Sequence, residues 1–168
     1  MRGINGKISW AAREGMPQAA GDASILSSTL PTLKVKDLLE ANAALKRLQE
    51  KNDAPIKICP IPFAVLRLLI FSDSSLNNGA DGKSQQGHLL CAVDKKILFG
   101  EESDCSILTY RSHKNSKAGG STLLTESQAL SESLADAEWV ASWFGLIKDL
   151  HYDLRQRNEL NREIQITG

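Results

Sequence analysis

The order of its apolar segments is the feature that most constrains the fold of this chain. Three β-rich runs follow one another at Leu66–Ser72, Gly87–Val93 and Ile107–Ser112. A long helical stretch from Thr122 to Leu150 separates them from one more alternating run, Glu163–Thr167. Because a strand that follows a crossover helix normally rejoins the same sheet, we expect a three-stranded antiparallel meander with the last strand beside the first. The predicted class is α+β (α/β by some schemes), a mixed sheet with a long crossover helix.

A small helical segment is predicted ahead of the sheet, which suggests a division into residues 1–54 and 55–168. Helices are expected over residues 6–15, 17–28 and 34–53, with Pro55 marking the end of the third. The alternating residues 56–62 suit an edge strand, since Pro60 and Pro62 interrupt them.

Apolar stripes predict which faces of the two longest helices are buried. On the third helix the stripe consists of Val35, Leu38, Leu39, Leu45 and Leu48. On the long helix one face carries Glu126, Leu130, Leu134, Ala137, Ala141 and Phe144, so Glu126 is expected at the start of the buried stripe.

Composition narrows the functional classes. Lys and Arg number 20, as do Asp and Glu, so binding of nucleic acid by bulk charge alone is disfavoured. A local basic strip nevertheless remains at Arg111, Lys114 and Lys117, where no acidic residue occurs between Asp104 and Glu126. No signal peptide or spanning segment is evident, and we expect a cytoplasmic or nuclear protein without a membrane partner.

The cysteines and histidines do not form a recognisable metal or disulfide pattern. There are three of each, none in a C-x-x-C arrangement, which favours buried or idle thiols.

Two carboxylates are candidate site residues. Asp73 ends the first long strand and Glu126 lies in the first turn of the long helix. Carboxylates that meet could hold paired Mg²⁺ ions for phosphodiester hydrolysis. Each residue also has a common structural role, because aspartate favours turns and a glutamate favours the start of a helix. Both interpretations are open at this level.

The motifs around these carboxylates resemble the RNase H region of copia-type LTR retrotransposon Pol polyproteins. The stretch FSDSSLNNGADGKSQQGHLL resembles the family's strand, aspartate and polar loop, and Lys83-Ser84-Gln85-Gln86-Gly87 is similar to its basic Ser-Gln-x-Gly element. The segment TESQAL resembles the start of the helix that carries the catalytic glutamate. Residues 6–28 and 34–49 resemble the end of the reverse transcriptase region.

The resemblance implies an activity and its participants. The activity is metal-dependent hydrolysis of RNA in an RNA–DNA hybrid, with Asp73 and Glu126 as catalytic ligands of Mg²⁺ or Mn²⁺. Ser84, Gln85 and Lys114 would approach the hybrid, and the rest of the Pol polyprotein would be a partner.

Several features depart from the family pattern. Leu76 stands where a tryptophan is usual, and Glu126-Ser127-Gln128-Ala129 replaces Glu-Ala-Glu-Tyr. The family's third and fourth carboxylates follow the strand after the long helix, and the 168 residues hold neither; a Tyr-x-Asp-Asp tetrad is also absent. We therefore expect weak or no hydrolysis. The alternatives are a non-catalytic domain that binds nucleic acid or a partner, and a plain structural domain.

Overall fold

The computed structural model describes residues 1–51, 56–76, 82–115, 119–153, 155 and 166–167. The first part is helical, as predicted: α1 spans Arg2–Glu14, α2 spans Ala20–Thr29 and α3 spans Val35–Glu50, with short 3-10 turns at Pro17–Ala19 and Leu30–Thr32. Helix α1 ends where expected because Gly15 adopts a φ of +136°, a conformation that L side chains rarely tolerate.

The buried face of α3 differs from the predicted stripe. Its inward residues are Asp37, Ala41, Ala44 and Leu48, whereas Val35 and Leu39 are exposed. The alanines pack with Ile8, Leu26 and further alanines of α1 and α2. Small side chains let helices approach closely, so the size of the leucines does not decide which face turns inward. Asp37 tolerates burial because its Oδ2 accepts a 2.7 Å hydrogen bond from the Lys34 backbone.

The sheet confirms the α+β class and the predicted meander. Strands β1 (Leu66–Ser75), β2 (Gln85–Asp94) and β3 (Cys105–Lys114) pair antiparallel. Strand β4 (Ile166–Thr167) lies parallel to β1, which makes the order β3-β2-β1-β4. Residues 163–165 of the predicted last strand lie outside the described residues.

The predicted edge strand at residues 56–62 is wrong. Residues 56–62 form irregular chain, and a turn follows at residues 63–65. Pro60 and Pro62 have no N–H to donate, and the Cys59 N–H bonds instead to Oγ of Ser106 at 2.8 Å.

Helix α4 spans Thr122–Lys148, close to the prediction, and Ala137 and Ala141 are buried as expected, but the first half of the buried stripe lies one residue earlier than predicted. The residues facing inward are Thr125, Ala129, Ser133, Ala137, Ala141, Ser142 and Gly145. Leu130 is 52% exposed and Leu134 is 41% exposed. Small residues at every fourth position bring α4 against the sheet, where Ala137 and Ala141 pack with Leu66, Leu68, Ile70, Leu90 and Ala92.

A β-bulge in β3 decides which residues share a face. Cys91 is opposite Ile107 while the adjacent Leu90 is opposite Thr109, so Leu108 has no partner in the ladder. The extra residue reverses the alternation along the rest of β3. Consequently Tyr110, Ser112 and Lys114 point towards α1 and α2, and Arg111 and His113 point towards α4.

Candidate functional site: two faces of one sheet

Asp73 lies within β1, two residues before its end, rather than at the strand terminus. It is opposite Gly87 on β2 and is exposed. Its Oδ1 accepts a hydrogen bond of 2.8 Å from the Ser74 backbone N–H. A carboxylate in this position is open to solvent and retains acceptor capacity.

Strand alternation places Asp73 on the face opposite to α4. Leu66, Leu68 and Ile70 point into the core that α4 covers. Because successive side chains of a strand point to opposite faces, Asp73 shares its face with Phe71 and with Gly87 on β2. The described residues that line the groove around Asp73 belong to β1 and β2, together with Ser112 of β3.

Glu126 is carried by α4 itself and is exposed. The prediction that it starts the buried stripe is wrong, since Thr125, one residue earlier, is fully buried there. This arrangement does not favour one cation shared by Asp73 and Glu126, and their pairing stays a prediction. Among the residues that the structure describes, no group of three or more His, Cys, Asp or Glu side chains could hold a metal ion.

The predicted nucleic-acid contacts occupy different environments. Ser84 is 1% exposed, and its carbonyl accepts a 2.8 Å hydrogen bond from the Asn115 backbone. A nucleic acid could reach its hydroxyl only if this packing opened. Gln85 donates from Nε2 to Oγ of Ser24 at 2.7 Å and to Oγ of Ser112 at 3.0 Å, which ties β2 to α2.

The basic strip does not lie on one face. Arg111 is opposite His88 and Lys114 is opposite Gln85, so the two side chains point to opposite sides of the sheet. Lys117 lies outside the described residues. Lys114 therefore belongs with α2 and α3, not with Arg111.

A histidine and carboxylate network on the α4 face was missed by sequence reasoning. Nε2 of the buried His88 is 3.0 Å from Oδ2 of Asp136 on α4. Nε2 of His113 is 2.9 Å from Oε2 of Glu132 and also 2.9 Å from Nε2 of Gln86. The signal was present, because Gln86 and His88 are two residues apart on a strand while Glu132 and Asp136 are four apart on a helix.

Electrostatics in this network oppose a charged His88. Burial lowers the pKa of His88 below its usual value, and the carboxylate of Asp136 counteracts only part of that effect. Arg111 and His113 also lower this pKa by charge repulsion. His88 is therefore held neutral at neutral pH and serves packing between the sheet and α4.

The buried thiol of Cys91 is a poor nucleophile. Cys59, Cys91 and Cys105 are free, and the first two are buried. Burial, with a hydrogen bond to Cys105, raises the pKa of Cys91 to about 12. A thiol with so high a pKa remains protonated and weakly nucleophilic.

Comparison with known proteins does not assign this chain to a family. No protein-family model, no curated protein and no solved structure matches it. Among the described residues, no helix combines the length and the apolar character needed to cross a membrane. Function must therefore be argued from the chain's own residues.

Proposed function

We propose that this chain is an RNase H-like, nucleic-acid-binding part of a copia-type retrotransposon Pol polyprotein, with weak or no hydrolytic activity. The observation that carries the proposal is the sheet itself. A meander of three antiparallel strands, a long helix and a parallel β4 beside β1 form the mixed sheet with a crossover helix that the motif resemblance implies. The parent activity would be metal-dependent hydrolysis of RNA in RNA–DNA hybrids.

Weak catalysis follows from the placement of the carboxylates. Paired-ion hydrolysis needs several carboxylates around the scissile phosphate to balance the charge of two divalent cations. Asp73 points to the face of β1 opposite to the one that α4, the helix carrying Glu126, covers, and among the described residues no group of three or more His, Cys, Asp or Glu side chains could hold a metal ion. Loss of one ion's stabilisation of the transition state costs several kcal/mol, which is about 10³-fold in rate.

The test is hydrolysis of an end-labelled RNA–DNA hybrid with Mg²⁺ or Mn²⁺. The 168-residue chain should bind the hybrid yet cleave it at least about 10³-fold more slowly than an intact RNase H. Asp73→Asn should leave hybrid binding unchanged, and Asp94→Asn, in the same sheet but bonded to the Lys96 backbone, is a matched control for the charge change. Rapid cleavage that requires Mg²⁺ and is lost in Asp73→Asn alone would show that the chain is a competent nuclease.

A second measurement separates catalytic from non-catalytic binding. Titration of Mg²⁺ should leave the melting temperature of the folded chain unchanged if the carboxylates do not share an ion, because only a ligand that binds the native state raises stability. A rise that disappears in both Asp73→Asn and Glu126→Gln would favour the metal-dependent alternative.

A further inference from the structure

We propose that a basic groove between the helical segment and the ends of β2 and β3 binds the phosphate backbone of a nucleic acid. We call it the basic groove and define it by Arg13, Lys34, Lys36, Lys83 and Lys114. Two adjoining cavities form it, and Lys114 lines both. The inference rests on the proposed nucleic-acid binding but uses neither Asp73 nor Glu126.

The charge of the groove is unbalanced although the whole chain is neutral. Among the described residues that line it, five basic residues besides Arg111 stand against two carboxylates, Asp37 and Glu40. Lys83 and Lys114 also make interactions within the fold, so the excess rests chiefly on Arg13, Lys34 and Lys36, which are exposed. Asp37 is 3% exposed, and its carboxylate accepts a hydrogen bond from the Lys34 backbone N–H. This carboxylate is therefore shielded from a ligand in the groove. Local excess of Lys and Arg along a groove attracts phosphate groups even when the net charge is zero.

The position of Lys34 and Lys36 is unfavourable for folding, which indicates another role. They flank the first residue of α3, and both are exposed. The amino end of a helix carries partial positive charge, so lysines there are destabilising and anions stabilising. A phosphate group bound beside them would offset this repulsion.

Uncharged donors complete the surface. Ser24, Ser28 and Thr32 of the helical segment line the two cavities, together with Ser112 of β3. Hydroxyl groups next to lysines are common partners of phosphate oxygens and carry no sequence information. The groove should therefore bind nucleic acids with little dependence on base sequence.

Both predicted regions of the chain contribute to this surface. Lys34 and Lys36 come from the helical segment, whereas Lys83 and Lys114 come from the sheet. Contacts between α2 and β3, together with the hydrogen bond from Gln85 of β2 to Ser24 of α2, hold the two sides together.

The experiment measures fluorescence anisotropy of a labelled RNA–DNA hybrid and a DNA duplex of equal length across a salt series. The double variant Lys34→Gln/Lys36→Gln should bind both about 10-fold more weakly at low salt. The slope of log affinity against log salt should fall by roughly 2, since each lost phosphate contact removes about 0.9. Lys46→Gln/Lys95→Gln removes two exposed lysines outside the groove and should change neither quantity.

A charge-reversal variant distinguishes loss of binding from loss of folding. Lys34→Glu/Lys36→Glu places acidic residues at the start of α3, which should raise the melting temperature while abolishing binding. Equal affinity and equal salt slope for the groove and control variants would overturn the inference, as would binding to anionic phosphatidylserine vesicles but to no nucleic acid.

The outcomes distinguish the two proposals. If the wild-type chain prefers the hybrid and the groove variants bind as tightly as wild type, the binding role of the basic groove is refuted and the proposed function is retained. If hybrid and DNA duplex bind equally and both are weakened by the groove variants, the groove is supported and the RNase H-like specificity fails.

Discussion

The two hydrophobic clusters of this molecule are built differently. In the helical segment five of the eight buried residues are alanines, and only Ile8, Leu26 and Leu48 are larger. In the cluster between the sheet and α4, the strands supply Leu66, Leu68, Ile70 and Leu90, and the helix supplies two alanines. Helices therefore supply alanines in both places, but large aliphatic side chains form a greater share of the cluster that includes the sheet. Because burial of apolar area stabilises in proportion to that area, we expect the sheet and α4 to be the more stable region.

The largest expected effect is on the sheet cluster. Leu68 is fully buried against α4, so Leu68→Ala should lower the free energy of unfolding by about 2–5 kcal/mol. Urea unfolding measures the loss, and hydrogen exchange should rise in peptides of β1, β2 and α4 more than in those of α1–α3.

Leu130→Ala is the matched control for that experiment. The apolar pattern places Leu130 in the core, yet the residue is 52% exposed, so truncation should cost less than about 0.5 kcal/mol. A cost equal to that of Leu68→Ala would refute the assignment of the buried face of α4.

The second-largest expected effect is a loss of stability at lower pH that is confined to the sheet and α4. The folded pKa of His88 is lowered, so below pH 6.5 the unfolded chain takes up a proton that the folded chain excludes. Stability is therefore complete above this pH and falls as pH decreases, by at most about 1.4 kcal/mol per pH unit for one proton. Residues 1–54 contain no histidine, so the change should appear in hydrogen exchange of the sheet and α4.

Two glutamine variants isolate the contribution of His88. His88→Gln should flatten the dependence of unfolding free energy on pH between 7 and 5.5, and His151→Gln, at an exposed turn, should not. The charged and titratable groups that face His88 are Asp136, Glu132, Arg111 and His113. An unchanged slope in His88→Gln would refute the assignment of the pH dependence to His88.

The smallest expected effect lies in the helical segment. Nη2 of Arg47 on α3 is 2.9 Å from both carboxylate oxygens of Asp22 on α2. The pair is partly exposed, so Asp22→Asn should cost only about 0.2–1 kcal/mol. Thermal unfolding at low and high salt measures it, and the difference from wild type should shrink as salt screens the pair. A salt-independent loss above 2 kcal/mol would mean that packing, not charge, joins these helices.

Much of the fold could be predicted because its signals are local. The three strands of the meander, the end of α1 at Gly15 and the extent of α4 depend on periodicity and on residues within a few positions. The candidate site was less predictable. Asp73 and Glu126 are where the motifs place them along the chain, but the side of the sheet to which Asp73 points depends on which strand residues α4 covers.

The sequence by itself determined the order and type of the elements. Side chains return to the same face every two residues on a strand and every 3.6 residues on a helix, and the apolar pattern shows these periods. Only the tertiary structure decided which helix faces are buried along α3 and the first half of α4, because close approach favours Ala41 and Ala129 over the larger Leu39 and Leu130. It also decided the grouping of charges. The unpaired Leu108 reverses the alternation of β3, and this one extra residue sends Lys114 to the basic groove and Arg111 to the histidine network.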